Sequence, residues 1–144
     1  MRMLFAAAAA FSLTAIAAQA ETLKFTAALS GAQEVPPNTA KGAGSVSATL
    51  DAATRVFTYQ ATYSGLTGPA TAAHFHGPAP AGANAPPVIP VASPASPIKG
   101  QATLTEAQIA DLKAGRWYLN VHTAAHPGGE IRGQLTAAQD HSHH

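Results

Sequence analysis

The sequence predicts an all-β domain, a sandwich or a barrel, interrupted by one short helix. Several segments alternate apolar and polar residues, which is the pattern of strands with one buried face. Glycine, proline and asparagine separate these segments, as expected for the turns of a sandwich or barrel. One segment carries the start and stop signals of a helix.

Five segments show the alternation clearly, and a sixth, shorter strand is expected at residues 72–76. In each strand every second side chain is expected to face the core. The five clear segments cover residues 23–29, 45–50, 57–63, 117–122 and 130–135.

The predicted helix begins at a capping box. Thr105 is the expected N-cap and Gln108 the residue that reaches back to it. Gly115 stands where a helix C-terminus is usually closed. Because its apolar stripe consists of Ile109 and Leu112, we expect a short helix laid over one edge or end of the sheet.

Seven prolines lie between Gly77 and Pro97, mixed with alanine, glycine, asparagine and serine. This composition predicts a long, stiff surface loop. A strand fragment at residues 88–91 is expected on an edge of the sheet, because proline cannot donate a hydrogen bond in a central ladder.

The first twenty residues have the pattern of a cleavable signal peptide. A basic residue, Arg2, precedes an apolar run, and Ala18-Gln19-Ala20 matches the small-x-small cleavage pattern. The run is shorter than the roughly 20 residues of a comfortable membrane span, and no second run follows it, so we expect no integral membrane association. The prediction is a signal peptide at 1–20, a β domain at 21–137, a histidine-rich tail at 138–144, and a periplasmic or secreted protein cleaved near Ala20.

The composition of the predicted mature chain limits the classes of partner that it is expected to bind. Without Arg2 it has seven basic and seven acidic residues and no basic cluster, which argues against nucleic-acid binding. It has no cysteine, and both methionines lie in the predicted signal peptide, so the mature chain contains no sulfur. An exported domain without disulfides must rely on its core, a metal or a second subunit, which leaves a homodimer or an unknown protein partner open.

Three histidines are expected to converge on one outward face. His74 and His76 are two residues apart on a strand and therefore point the same way, while Phe75 points to the core. His122 follows the buried stripe of its own strand on the opposite, outward face, which it shares with Tyr118. If the two strands are neighbours, the three imidazoles meet.

A His-x-His pair with a third histidine from another strand is a common way to build a metal site. The alternative is a set of histidines that make ordinary hydrogen bonds. His126, four residues after His122 in a Pro-Gly-Gly turn, is either a fourth ligand or a turn residue. Tyr118 and Asn120, on the same face as His122, are the expected groups that orient the imidazoles.

The absence of sulfur restricts the metal. Thiolate and thioether ligands, which favour copper(I) and iron–sulfur clusters, are absent from the mature chain. Cleavage after Ala20 would leave Glu21 first, so an N-terminal histidine brace is not expected. Copper(II) is the expected metal and zinc(II) the second candidate. The tail histidines, His141, His143 and His144, either collect metal loosely or form a solvated chain end.

Landmarks in order along the chain resemble the CHRD domain family, which is found in many exported bacterial proteins. The resemblance spans roughly residues 22–135, and its specificity comes from the joint occurrence of the landmarks. They are residues 29–37 (LSGAQEVPP), 42–44 (GAG), 63–66 (YSGL), 73–79 (AHFHGPA), 118–123 (YLNVHT) and 127–134 (PGGEIRGQ).

This resemblance implies a Greek-key-like antiparallel β-sandwich, and its His-x-His is similar to the copper-ligand strand of Cu/Zn superoxide dismutases. The family landmarks also include Glu34, Glu130 and Arg132. We interpret these three as a structural ion pair or turn anchors rather than as catalytic residues.

The function hypothesis that follows is an exported, non-enzymatic metal-binding protein for metal storage, delivery or protection. The alternative is a structural or protein-interaction module in which the histidines are structural. A dismutase-like enzyme is disfavoured, because no second ligand set with a bridging histidine and an aspartate is present. A serine hydrolase is disfavoured because the chain has no Gly-x-Ser-x-Gly motif.

Overall fold

The computed structural model describes residues 21–138. The predicted signal peptide and all but the first residue of the predicted histidine-rich tail lie outside this range. Within it, the chain is all-β with one short α-helix, as the sequence predicted. The described residues include no helix that is both long enough and apolar enough to cross a membrane.

Nine strands and one helix make up the described part of the chain, with a single 3₁₀ turn at Gly31–Gln33. All pairs of neighbouring strands run antiparallel. The elements are β1 (Thr22–Ser30), β2 (Ala43–Asp51), β3 (Val56–Ser64), β4 (Ala70–His76), β5 (Pro87–Pro90), β6 (Ile98–Thr103), α1 (Glu106–Lys113), β7 (Tyr118–Thr123), β8 (Ile131–Gln134) and β9 (Thr136–Ala137).

The strands form one nearly closed, barrel-like sheet in the order β5-β4-β7-β8-β1-β2-β3-β6, with β9 also pairing with β1. The consecutive hairpins β1-β2-β3 have β8 returning beside β1, which is the Greek-key order. Two halves, β5-β4-β7-β8 and β1-β2-β3-β6, meet at a narrow junction where Ser30 of β1 pairs with Arg132 of β8.

Aromatic side chains from the two halves fill the space between them. Phe57 of β3 packs edge-to-face against Phe75 of β4 at 5.3 Å and against Trp117 at 5.6 Å. All three are fully buried, and each such side chain contributes roughly 1.5–3 kcal/mol of hydrophobic stabilisation. The aromatic core turns the inward face of β4 towards β3, so the alternate residues of β4 lie on the outer face of the sheet.

Strand β6 was not predicted from the sequence. Its inward positions are Ile98, Gly100 and Ala102, which give a weak apolar alternation. Gly100 is required because a Cβ there would overlap the ring and hydroxyl of Tyr59, its partner on β3. The ring of Tyr59 on the neighbouring strand thus fills the space of the missing side chain. The sequence of β6 alone does not show this packing.

Helix α1 and the proline-rich segment agree with their predicted features. Thr105 Oγ1 accepts from the backbone N–H of Gln108, and the Gln108 side chain accepts from the N–H of Thr105, which completes the capping box. Gly115 has a φ of 74°, the left-handed conformation that suits glycine after a helix. Strand β5, within the proline-rich segment, lies at one edge of the sheet.

Candidate metal centre

Strands β4 and β7 are neighbours, so the expected convergence of three imidazoles occurs. The register pairs His76 with Tyr118, His74 with Asn120, and Ala72 with His122. Phe75, between the two histidines of β4, is fully buried in the core. The period of two along each strand therefore places the three imidazoles on the outer face.

One ring nitrogen from each of His74, His76 and His122 lies within 4.8 Å of the others. The shortest separation joins His74 Nδ1 to His122 Nε2, at 3.2 Å. Among residues 21–138 this is the one group of three or more histidine or carboxylate side chains close enough to hold a metal ion.

Backbone carbonyls set the tautomers of two of these rings. His76 Nδ1 lies 2.8 Å from the carbonyl oxygen of Ala85, and His122 Nδ1 lies 2.9 Å from that of Pro127. A carbonyl only accepts hydrogen bonds, so each Nδ1 carries the proton and donates it. In the neutral rings each Nε2 is then left unprotonated, which is the form that binds metal.

His76 Nε2 is buried and has no hydrogen-bond partner. The residue as a whole is 9 % exposed. Leaving a buried acceptor unpaired costs roughly 1–3 kcal/mol, and such atoms are rare in folded proteins. A metal ion between the three rings would satisfy this lone pair.

Electrostatics favour the neutral forms of His74 and His76. Burial, followed by the neighbouring His122 and His76 rings, lowers the pKa of His74. Burial is also the largest cause of the lowered pKa of His76, and it outweighs the opposite effects of the Ala85 carbonyl and the Asn120 side chain. Neutral imidazoles at neutral pH have lone pairs available for a cation.

One of the nitrogen separations matches that expected for two ligands of a single metal ion. Two imidazole nitrogens bound to one zinc at about 2.0–2.1 Å with a tetrahedral angle are about 3.3 Å apart. The observed 3.2 Å between His74 Nδ1 and His122 Nε2 is close to that value. In the metal-free protein the same separation is a hydrogen bond from His74 to His122, so a metal would take the place of the shared proton.

His126 lies outside the three-histidine group. Its Nε2 is 4.0 Å from Glu130 Oε1, and its backbone holds the β7–β8 turn through hydrogen bonds with Thr123 and Gly129. That turn carries the Pro127 carbonyl that orients His122. The described contacts of His126 are thus those of a turn residue.

Tyr118 and Asn120 lie next to His76, as expected for groups that orient it. The Tyr118 ring stacks on the His76 ring, with centroids 4.8 Å apart and planes 3° from parallel. The Tyr118 hydroxyl accepts from the Ala85 N–H at 3.0 Å and lies 3.2 Å from the Ala85 carbonyl oxygen. Asn120 donates to the Gly128 carbonyl at 3.3 Å, and its Oδ1 is buried without a partner.

Glu130 anchors a turn. It is fully buried and accepts from the backbone and hydroxyl of Thr67 and from the hydroxyl of Thr123. Burial raises its pKa, but these hydrogen bonds outweigh burial and lower the pKa overall. The carboxylate thus ties the β3–β4 loop to the end of β7.

Glu34 and Arg132 are two further buried charged residues near Asn120, and no hydrogen bond or ion pair joins them among the described contacts. Burial raises the pKa of Glu34 to about 7, although the Arg132 charge and the Asn120 side chain act in the opposite direction. Both residues also line a cavity of about 450 Å³ between the 32–37 and 81–82 segments.

The carbonyls of Ala85 and Pro127 are the two site groups that sequence reasoning missed. Every residue carries a carbonyl, so no residue type marks one that will orient a histidine. A proline-rich loop after the His-x-His strand and a Pro-Gly-Gly turn after His122 were visible, and they are the segments that supply these carbonyls.

The fold and site together define a small, antiparallel β domain with a three-histidine group on its outer face. The chain belongs to the CHRD domain family, whose sequence model matches residues 25–135. The resemblance found from the landmarks is thereby confirmed. Comparison with curated proteins gives no match, and comparison with solved structures gives none either.

Proposed function

We propose that this protein is an exported metal-binding protein, with copper(II) as the metal and zinc(II) as the second candidate, that acts in metal storage, delivery or protection. The observation that carries the proposal is the buried, unpartnered Nε2 of His76 within 4.8 Å of ligand nitrogens from His74 and His122. Export is supported by the signal-peptide pattern of residues 1–20.

The donor set favours copper(II). All three candidate ligands are imidazoles, which suit copper(II) and zinc(II), and copper(II) binds most tightly of the divalent first-row metals. His74 and His122 are partly exposed, so an ion can enter and leave from their side, while His76 lies at the buried end of the group. Both properties suit a protein that holds and passes on a metal.

The proposal contains no catalytic step. The hydrogen-bond partners of the three imidazoles are one another and the carbonyls of Ala85 and Pro127. None of these partners is a carboxylate that would act as a general acid or base. Of the two buried glutamates, Glu130 accepts hydrogen bonds from Thr67 and Thr123, and Glu34 lies near Arg132 and Asn120.

A structural module is the second candidate, and one observation favours it. Each of the three imidazoles makes a hydrogen bond without metal, so the cluster can cross-link β4, β7, the proline-rich segment and the β7–β8 turn by itself. This candidate leaves the lone pair of His76 Nε2 unexplained.

Elemental analysis separates the two candidates. The chain is produced with His141, His143 and His144 replaced by alanine, called below the tail-substituted chain, so that tail binding does not contribute. After copper(II) or zinc(II) loading and desalting, the proposal expects about one ion per chain, and none when His74 and His76 are both alanine. Unchanged stoichiometry in that double variant would refute the proposed site.

A further inference from the structure

Arg132 is a buried cation that has no role in the metal-binding function as proposed above. It is 1 % exposed and lies on β8, paired with Asn120 of β7. Asn120 is in turn paired with His74 of β4. Arg132 therefore belongs to the same outer-face layer as the histidines, two strands away from β4.

A stack of planar groups connects Arg132 to His76. The guanidinium carbon of Arg132 lies 3.4 Å from the centre of the Tyr118 ring, a close cation–π contact. The same ring is stacked parallel to His76. Because β7 lies between β4 and β8, Tyr118 separates the two side chains and fixes the plane in which the imidazole can lie.

A second connection runs through the proline-rich segment. Arg132 donates to the carbonyl of Ala83 and, at 3.0 Å, to Oδ1 of Asn84. The next residue, Ala85, receives the Nδ1 proton of His76 on its carbonyl and is held at its N–H by the Tyr118 hydroxyl. Arg132 thus holds the segment whose carbonyl sets the tautomer of His76.

We propose that Arg132 is a positioning residue of the metal centre, which acts through Tyr118 and residues 83–85 to hold His76 with Nε2 towards His74 and His122. The inference rests on the proposed metal-binding function for its consequence, but the orientation of His76 is a property of the metal-free protein. The planar fork of arginine is needed for both routes, because it stacks on a ring and donates in two directions at once, which a lysine ammonium does not do.

The test uses Arg132→Lys in the tail-substituted chain, which retains the charge and removes the fork. Arg116→Lys is the matched control, because Arg116 is exposed in the segment between α1 and β7. Two quantities are measured for each protein. One is the Kd for zinc(II) and copper(II) by competition with a chromophoric chelator, and the other is the His76 tautomer in the metal-free protein, from long-range ¹H–¹⁵N NMR.

We expect Arg132→Lys to raise the Kd for both metals by about 10–100-fold, which is the usual effect of losing a residue that orients a metal ligand. Arg116→Lys should leave both Kd values unchanged. In metal-free protein His76 should be protonated at Nδ1 alone in the parent and the control, and should show a mixture of tautomers in Arg132→Lys. A parent-like tautomer together with a parent-like Kd in Arg132→Lys would overturn the inference.

The NMR measurement keeps this inference separate from the proposed function. A parent chain that binds neither metal while Arg132→Lys still changes the His76 tautomer would refute the metal function and support the positioning role. If Arg132→Lys does not fold, Tyr118→Phe takes its place, since it keeps the ring stack and removes only the hydroxyl link to Ala85. It is expected to weaken metal binding and mix the tautomers in the same direction, and parent-like values of both would overturn the inference.

Discussion

Replacing His76 with phenylalanine removes the candidate ligand atom while keeping a flat ring against Tyr118. In the metal-free protein the substitution removes the hydrogen bond from His76 Nδ1 to the Ala85 carbonyl, a net loss of about 1 kcal/mol. The Ala85 carbonyl retains the Tyr118 hydroxyl at 3.2 Å, and the unpaired Nε2 disappears. The free energy of unfolding of the metal-free variant should therefore lie within about 1 kcal/mol of that of the parent.

With metal the two proteins should differ strongly. A ligand at a hundred times its Kd stabilises the folded state by about 2.7 kcal/mol. For a domain of this size that corresponds to a rise in Tm of about 10 °C. If loss of His76 weakens binding at least about a hundredfold, the same metal concentration stabilises the variant by about 0.4 kcal/mol, or roughly 1–2 °C.

The assay is differential scanning calorimetry of both proteins as tail-substituted chains, with and without zinc(II), which avoids redox chemistry during heating. Equal rises in Tm for parent and variant would show that His76 is not a ligand. No rise in the parent at a hundredfold molar excess of metal would contradict the metal site itself. A variant destabilised by several kcal/mol without metal would contradict the assignment of the Ala85 contact as a single ordinary hydrogen bond.

Three further predictions concern the scaffold. Gly100→Val should destabilise the fold by about 1–3 kcal/mol in urea denaturation, because the new side chain overlaps Tyr59. Gly68→Ala, at a position with open space, is the control and should change stability by less than about 0.5 kcal/mol. Glu130→Gln should cost about 2–4 kcal/mol at pH 7, because the amide turns a donor towards groups that already donate; an unchanged urea midpoint would contradict this. Because the pKa of Glu34 is raised to about 7 in the folded protein, its protonated carboxyl adds stability that is fully present below the unfolded-state pKa of 4.5 and is lost as pH rises through about 7. Glu34→Gln, which does not titrate, should therefore gain stability relative to the parent between pH 5 and pH 8. A difference in stability that stays constant over this range would refute the buried, proton-binding carboxyl.

Much of the fold was predictable because local pattern and tertiary packing agree. The alternation in β1, β2 and β3 predicted which side chains are buried, and the capping box predicted the start of α1. Strand β6 was not predicted because the space of a side chain at Gly100 is filled by the ring of Tyr59 on a neighbouring strand. A glycine by itself disfavours a strand, and the ring that covers this one belongs to a distant segment of the sequence.

The candidate site divides in the same way. The spacing of His74 and His76 on a strand determined that both point outward, and the absence of sulfur from the predicted mature chain determined that a metal would meet nitrogen and oxygen ligands. Both conclusions follow from covalent geometry and composition, which are local.

Tertiary structure alone decided that β4 and β7 are neighbours, that His122 lies 3.2 Å from His74, and that His76 is buried with an unpaired nitrogen. It also decided that the carbonyls of Ala85 and Pro127 orient two of the rings. Strand pairing joins segments more than forty residues apart, and backbone carbonyls carry no residue signature. Sequence therefore determined the chemistry of the candidate ligands, and the register of the folded sheet determined whether they meet.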